Sequence, residues 1–171
     1  MLFCFKTEHM PLLELNELET MSRIFRGRAG NAFARGLMNV LAVDKVNELY
    51  DRNSHAAGPA FASAVLNDLG IEYEVMNSHI LSELPPGPFI TISNHPYGSI
   101  DGVMLVDLFA SVRPDFKVMV NKFLGRIETL EDNFICVTPV GAERTAPTKE
   151  SIQGIKDAVA HVRAGRPLGI F

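Results

Sequence analysis

The sequence predicts an α/β fold: a mostly parallel sheet flanked by helices, with an N-terminal helical region. Short apolar runs typical of buried strands occur at 89–92, 117–120, 134–137 and from 168 onward. Helical segments lie between several of them, and strands that alternate with helices build a parallel sheet with helices on its faces. Before residue 70, by contrast, apolar residues recur only at helical spacing.

The N-terminal region shows four helical patterns, in which apolar residues recur at intervals of three and four residues. These patterns cover 11–25, 31–41, 44–50 and 59–69. Gly70 is well placed to end the fourth helix, because glycine is the preferred residue just past a helix C-terminus.

The middle of the chain contains a predicted strand and then a predicted boundary. Residues 71–75 alternate apolar and polar, as a half-buried strand does. The proline-rich segment 84–88 excludes a helix, so we predict a helical region over 1–83 and an α/β domain over 84–171. Further helices are predicted at 102–111 and 148–163.

Composition excludes several classes of function. Of the 171 residues, 47% are hydrophobic and 21% are charged, which is typical of a folded domain. The net charge of -4 gives no indication of a nucleic-acid partner. Cys4 and Cys136 lack metal-ligand spacing, and Cys136 lies in an apolar run that predicts an inert, buried thiol. His161 follows Asp157 by four residues, which predicts a surface pair and no metal site.

The segment 93–102, Ser-Asn-His-Pro-Tyr-Gly-Ser-Ile-Asp-Gly, combines groups suited to catalysis. It follows a predicted strand and precedes a predicted helix, the position where sites of open α/β sheets collect. A carboxylate at Asp101 would orient the imidazole of His95 and leave its other nitrogen free to accept a proton from a hydroxyl. Asn94 would orient the loop or donate to an oxyanion. By residue type alone, such a pair is more often a structural hydrogen bond.

This pattern of Asn-His, a short spacer and Asp-Gly after a strand resembles the lysophospholipid acyltransferase family. The resemblance covers about 86–171, and the preceding helical region is similar to the bacterial hemolysin-like branch, which makes phospholipids or amino-acid lipids. It implies that His95 is the general base and that Asp101 orients it. It also implies an acyl-CoA or acyl carrier protein thioester as donor, a lyso-lipid as acceptor, and no bound cofactor.

The sequence departs from the family pattern in its spacing and in its anion contacts. Five residues separate His95 from Asp101, one more than usual, and Gly98 can absorb the extra residue. Gly98 and Asn94 are also candidate substrate contacts. The family's phosphate-gripping Arg is missing after the strand 134–137, where the nearest is Arg144. An amino-acid-headed acceptor therefore becomes a candidate beside a phosphate-headed one.

Two further expectations concern Lys122 and Arg126 and the C-terminus. Lys122 and Arg126 are alternative anion contacts, although charged residues beside an apolar segment are more often simply solvated.

The family's next block, a Pro-Glu-Gly-type turn, would begin at or after Phe171. We therefore expect a chain shortened at its C-terminus.

Membrane contact is predicted at 22–43, which contains four arginines, two phenylalanines and no acidic residue before Asp44. A basic, aromatic stretch suits an anionic membrane surface, and the alternative is that its apolar residues pack on the core. No run is long enough to cross a bilayer. We predict a cytoplasmic protein, peripheral on the inner membrane face.

Two other functions stay open: a lipid hydrolase that uses the same His-Asp pair, and a non-catalytic lipid-binding module.

Overall fold

The computed structural model describes residues 43–137 and 149–171. The chain divides into two compact units, 1–53 and 54–171. The functional boundary predicted at 83/84 stays a prediction. The first unit contains helix α1 (Val43–Asn53), which confirms the helix predicted at 44–50. The helices predicted at 11–25 and 31–41 lie outside the described residues.

In the part of the chain that the structure describes, the second unit contains one four-stranded sheet. The strands are β1 (Ile90–Ile92), β2 (Lys117–Asn121), β3 (Phe134–Val137) and β4 (Leu168–Ile170). Their order is β1-β4-β2-β3, and every neighbouring pair is parallel. The predicted α/β fold is therefore confirmed. All four strands end at the same border of the sheet, here called the carboxyl edge.

Among its described residues, this unit also contains three α-helices. They are α2 (Gly58–Asp68), α3 (Ser99–Leu105) and α4 (Lys149–Arg163). A π-helical turn, Val106–Ala110, continues α3, and 3₁₀ turns cover Ser78–Glu83, Lys122–Arg126 and Glu128–Asn133. Gly70 has a φ of +64°, as expected of the glycine that follows a helix.

Helix α4 covers one face of the sheet. Leu168, Ile135 and Ala158 are buried together there, and three partly buried side chains complete the cluster: Met119, Val162 and Ile170. Apolar burial of this kind is the main favourable contribution to folding.

The opposite face holds an aromatic cluster beside α3 and the π-helical turn. The rings of Phe109 and Phe116 stack with centroids 5.0 Å apart, and Phe89 lies 6.4 Å from Phe116. A Cβ added at Gly169 would lie 2.9 Å from the Phe116 ring. The glycine in β4 therefore makes room for this cluster over the middle of the sheet.

The strand predicted at 71–75 is wrong. The backbone of Ile71 donates to the carbonyl of Leu66 in α2, and the hydroxyl of Tyr73 donates to Asp107 in the π-helical turn. The segment is therefore tied to helices and forms no sheet ladder. The alternation of apolar and polar residues nevertheless predicted burial correctly, since Ile71 and Tyr73 are half-buried while Glu72 is exposed.

The surface pair predicted between His161 and Asp157 is also wrong. The side chain of His161 is buried, and its Nε2 lies 3.1 Å from the carbonyl oxygen of Pro167. Asp157 instead accepts a hydrogen bond of 2.7 Å from the amide of Gln153. Helix α4 thus turns His161 toward the start of β4.

Candidate active site

The loop that contains His95 begins where β1 ends. The backbone N–H of Ser93 still donates to the carbonyl of Ile170, at 3.2 Å, so the β1–β4 pairing extends one residue past the strand. The chain then leaves the sheet at 94–98 and enters α3 at Ser99. This connection places His95 at the carboxyl edge, where the sequence predicted it.

Gly98 shapes the return of this loop toward His95. Its φ of +64° and ψ of -128° suit glycine and disfavour residues with a Cβ. Its carbonyl accepts from the backbone N–H of Asp101 at 3.1 Å. Gly98 therefore permits the turn by which the loop returns to His95. Its predicted accommodation of an extra residue and its predicted contact with substrate stay predictions.

His95 and Asp101 come together across this loop. Nδ1 of His95 lies 3.1 Å from Oδ2 of Asp101, and the same oxygen accepts from the backbone N–H of Tyr97 at 2.9 Å. The Asp101 side chain is only 12% exposed, whereas that of His95 is 44% exposed. The carboxylate is thus held in the loop while the imidazole remains accessible.

The pairing determines which nitrogen of His95 is available for chemistry. An ionised carboxylate only accepts hydrogen bonds, so Nδ1 must carry the proton that faces Asp101. In the neutral imidazole, Nε2 then has a free lone pair. Such an arrangement can accept a proton at Nε2 while the carboxylate orients the ring.

Phe171 is a neighbour of the site that the sequence analysis missed. Its ring packs on the imidazole of His95, with 4.2 Å between centroids and 32° between planes. Phe171 directly follows β4, and β4 lies beside β1 in the sheet. Only the strand order brings the two rings together, and no local sequence pattern encodes that order.

Lys122 and Arg126 lie farther along the carboxyl edge, in the 3₁₀ turn after β2. The strand β4 separates β2 from β1, so the two strands are about 10 Å apart. The guanidinium of Arg126 lies 5.7 Å from the centroid of the Phe123 ring. The structure therefore places these cations at the same edge as His95, beyond an intervening strand.

Cys136 lies near Lys122 at the end of β3. Burial raises the pKa of the Cys136 thiol, and the positive charge of Lys122 lowers it in part. The net shift is opposite to that of an activated cysteine nucleophile, in agreement with the inert thiol that was predicted, although the side chain is only partly buried.

The remaining predicted site residues are placed as follows. Asn94 is exposed beside His95, and Arg144 lies outside the described residues. Within 43–137 and 149–171, no group of three His, Cys, Asp or Glu residues could hold a metal ion. Over the same ranges, no helix is long and apolar enough to cross a bilayer.

Comparison with known proteins identifies the class. A family model described as Acyltransferase matches residues 21–158, which is most of the chain. The chain therefore belongs to this acyltransferase family, and the matched region includes both His95 and Asp101. No curated protein and no solved structure matches the chain significantly.

Proposed function

We propose that this acyltransferase moves a fatty acyl group from a thioester of CoA or acyl carrier protein to the hydroxyl of a lyso-lipid. Membership of the acyltransferase family supports the transfer of an acyl group. The observation that carries the proposal is the 3.1 Å contact between Nδ1 of His95 and Oδ2 of Asp101 at the carboxyl edge. It prepares a base for a substrate hydroxyl without a nucleophile from the protein.

In the proposed reaction, Nε2 of His95 takes the proton of the acceptor hydroxyl as that oxygen attacks the thioester carbonyl carbon. The carbon–sulfur bond then breaks, and the leaving thiolate takes the proton from the imidazolium. The carboxylate of Asp101 stabilises the imidazolium between these steps. Asn94, in the same loop, would donate its amide to the developing oxyanion.

The acceptor is proposed to be a lyso-phospholipid or a lyso amino-acid lipid, as in the hemolysin-like branch that the sequence resembles. Lys122, Arg126 and Arg144 are the candidate contacts to an anionic head group, because guanidinium and ammonium groups bind phosphate and carboxylate. The enzyme would act in phospholipid biosynthesis as a peripheral protein on the inner face of the membrane.

The test is an acyl-transfer assay with paired variants of the two residues. Acyl-CoA and acyl carrier protein are each offered with lyso-phosphatidic acid or a lyso amino-acid lipid. His95→Gln and Asp101→Asn should each lower turnover by about 10² to 10⁴, the usual contribution of a general base. Asp132→Asn removes an exposed carboxylate elsewhere in the unit and should leave turnover unchanged. Circular dichroism of each variant verifies the fold.

Three results would contradict the proposal. Near wild-type turnover by a folded His95→Gln protein would remove His95 from the mechanism. Release of free fatty acid without a diacyl product would identify a hydrolase that uses the same pair. Binding of lyso-lipid without turnover for any donor would indicate a non-catalytic lipid-binding module.

A further inference from the structure

Three aromatic side chains are exposed along the carboxyl edge, one after each of three adjacent strands. Tyr97 follows β1, Phe171 follows β4, and Phe123 follows β2. Their exposed fractions are 74%, 39% and 37% respectively. We call these three residues the aromatic rim.

The aromatic rim includes the ring that packs on the proposed general base. Neighbouring strands lie about 4.8 Å apart, so the three strand ends span about 10 Å. The imidazole of His95 lies within this row because it packs on Phe171. Ile92, at the last position of β1, adds further apolar surface and is 79% exposed. A grouped exposed apolar surface of this kind is typical of an interaction site.

The two charged residues of the turn that contains Phe123 are basic, which suits an anionic partner. Lys122 and Arg126 flank Phe123 in one 3₁₀ turn, and the Arg126 guanidinium lies over the Phe123 ring. The carboxylate nearest to His95, that of Asp101, is mostly buried. Aromatic rings with basic residues beside them suit the boundary between lipid head groups and acyl chains.

We propose that the aromatic rim docks on an anionic lipid surface, so that a membrane-borne acceptor reaches His95 directly from the bilayer. The proposed contact uses residues of the α/β unit and none of the basic stretch predicted at 22–43. It deepens the proposed function, since it defines how a lipid acceptor enters that site. Docking needs no turnover, so vesicle binding and acyl transfer can fail independently.

The absence of tryptophan from the sequence permits a sharp test. Tyr97→Trp, Phe123→Trp and Val112→Trp each introduce a single indole at an exposed apolar position. Val112 is the matched control, because it is 44% exposed and precedes β2, at the opposite border of the sheet. Each variant is mixed with vesicles of phosphatidylcholine, alone or with an equal amount of phosphatidylglycerol, and with the same vesicles made from brominated lipid.

The indoles at positions 97 and 123 should shift their emission to shorter wavelength and be quenched by brominated lipid, whereas the indole at 112 should do neither. Lys122→Gln should weaken binding to the anionic vesicles about fivefold and leave binding to neutral vesicles unchanged. Three outcomes would overturn the proposal: no shift at 97 and 123, an equal shift at 112, or a shift that follows protein concentration without lipid. The last would indicate that a second copy of the chain covers the rim.

Discussion

The ring of Phe171 packs on the imidazole of His95 with 4.2 Å between centroids, while Asp101 holds Nδ1 of the same imidazole. The imidazole is therefore constrained at its edge by a hydrogen bond and on one face by an aromatic ring. An imidazole restrained in both ways keeps Nε2 in one direction, and the proposed general-base role requires such pre-organisation.

Loss of the Phe171 ring should impair catalysis more than binding. Phe171→Ala is expected to lower kcat about tenfold, because the imidazole gains freedom to leave its productive orientation. Phe171→Tyr keeps the ring and should retain most of the activity. The measurement is kcat and KM for both variants over a range of lyso-lipid concentrations at saturating acyl donor, together with the pH profile of kcat. A Phe171→Ala enzyme with altered KM and unaltered kcat would assign Phe171 to substrate binding alone.

Gly154 lies against the backbone of β3, and a side chain there should destabilise the fold. A Cβ at this position would lie 2.2 Å from the carbonyl oxygen of Cys136 and 2.8 Å from Cγ1 of Val137. Alanine favours a helix over glycine by about 1 kcal/mol, but overpacking against backbone that cannot yield costs about 1 to 3 kcal/mol or more. Gly154→Ala should therefore lower the free energy of unfolding, measured in urea.

Gly87→Ala is the matched control for this prediction. A Cβ at Gly87 would meet no atom within 4 Å, and its φ lies outside the left-handed region. The free energy of unfolding should stay within about 0.5 kcal/mol of the wild-type value. Equal stability of the Gly154→Ala and Gly87→Ala proteins would show that α4 moves away from β3 at little cost.

His161 should make the fold sensitive to mild acid. Burial lowers the pKa of His161, and the nearby charges of Lys117 and Arg166 lower it further, although a hydrogen bond to the carbonyl of Pro167 opposes the shift. In the unfolded chain a histidine binds its proton near pH 6.5, whereas folded His161 binds it only at lower pH. The unfolded state holds more protons in this window, so stability falls as the pH decreases below about 6.5.

The check is the free energy of unfolding across this pH window for the wild type and for His161→Gln, whose amide nitrogen can replace Nε2 as the donor to Pro167. The variant should show a flatter dependence. Asp115 affects stability in a different pH range. Its hydrogen bond from Arg113 lowers its pKa, so the stability that it contributes is lost only below about pH 4. Parallel curves for the two proteins between about pH 6.5 and pH 5 would rule out His161 as the source.

The elements that could be predicted are those encoded locally. The four strands of the sheet are short apolar runs, and their parallel arrangement followed from alternation with helices. The His95–Asp101 pair was predictable because both residues lie in one short loop after a strand. The family match supports the acyltransferase class, and the roles of the two residues stay predictions.

The elements that could not be predicted depend on contacts between distant parts of the chain. The position of β4 beside β1 brings Phe171 to His95, and strand order is not encoded in any short pattern. The apolar and polar residues of 71–75 alternate, and their burial alternates with them. Such alternation indicates a half-buried segment, but it does not determine whether a neighbouring strand or a helix covers the apolar side. Here the covering surface is α2 with the π-helical turn.

Tyr73 is the residue that fixes this segment, and its hydroxyl should contribute measurably to stability. The hydroxyl donates to Oδ2 of Asp107 at 2.5 Å, while the hydroxyl of Ser63 donates to Oδ1. Burial raises the pKa of Tyr73, and the hydrogen bond and negative charge of Asp107 raise it further, so the phenol stays protonated and able to donate. Tyr73→Phe should lower the free energy of unfolding by about 1.5 to 3 kcal/mol, the range for a hydrogen bond to a charged group.

Tyr97→Phe provides the control, since the Tyr97 side chain is 74% exposed and loss of its hydroxyl should leave stability unchanged. A double-mutant cycle of Tyr73→Phe with Asp107→Asn isolates the coupling between the two groups. The destabilisation should be strongly non-additive, because either substitution weakens the same hydrogen bond. Additive effects would mean that residues 71–75 are held on α2 by apolar burial alone, with the hydroxyl–carboxylate contact contributing nothing.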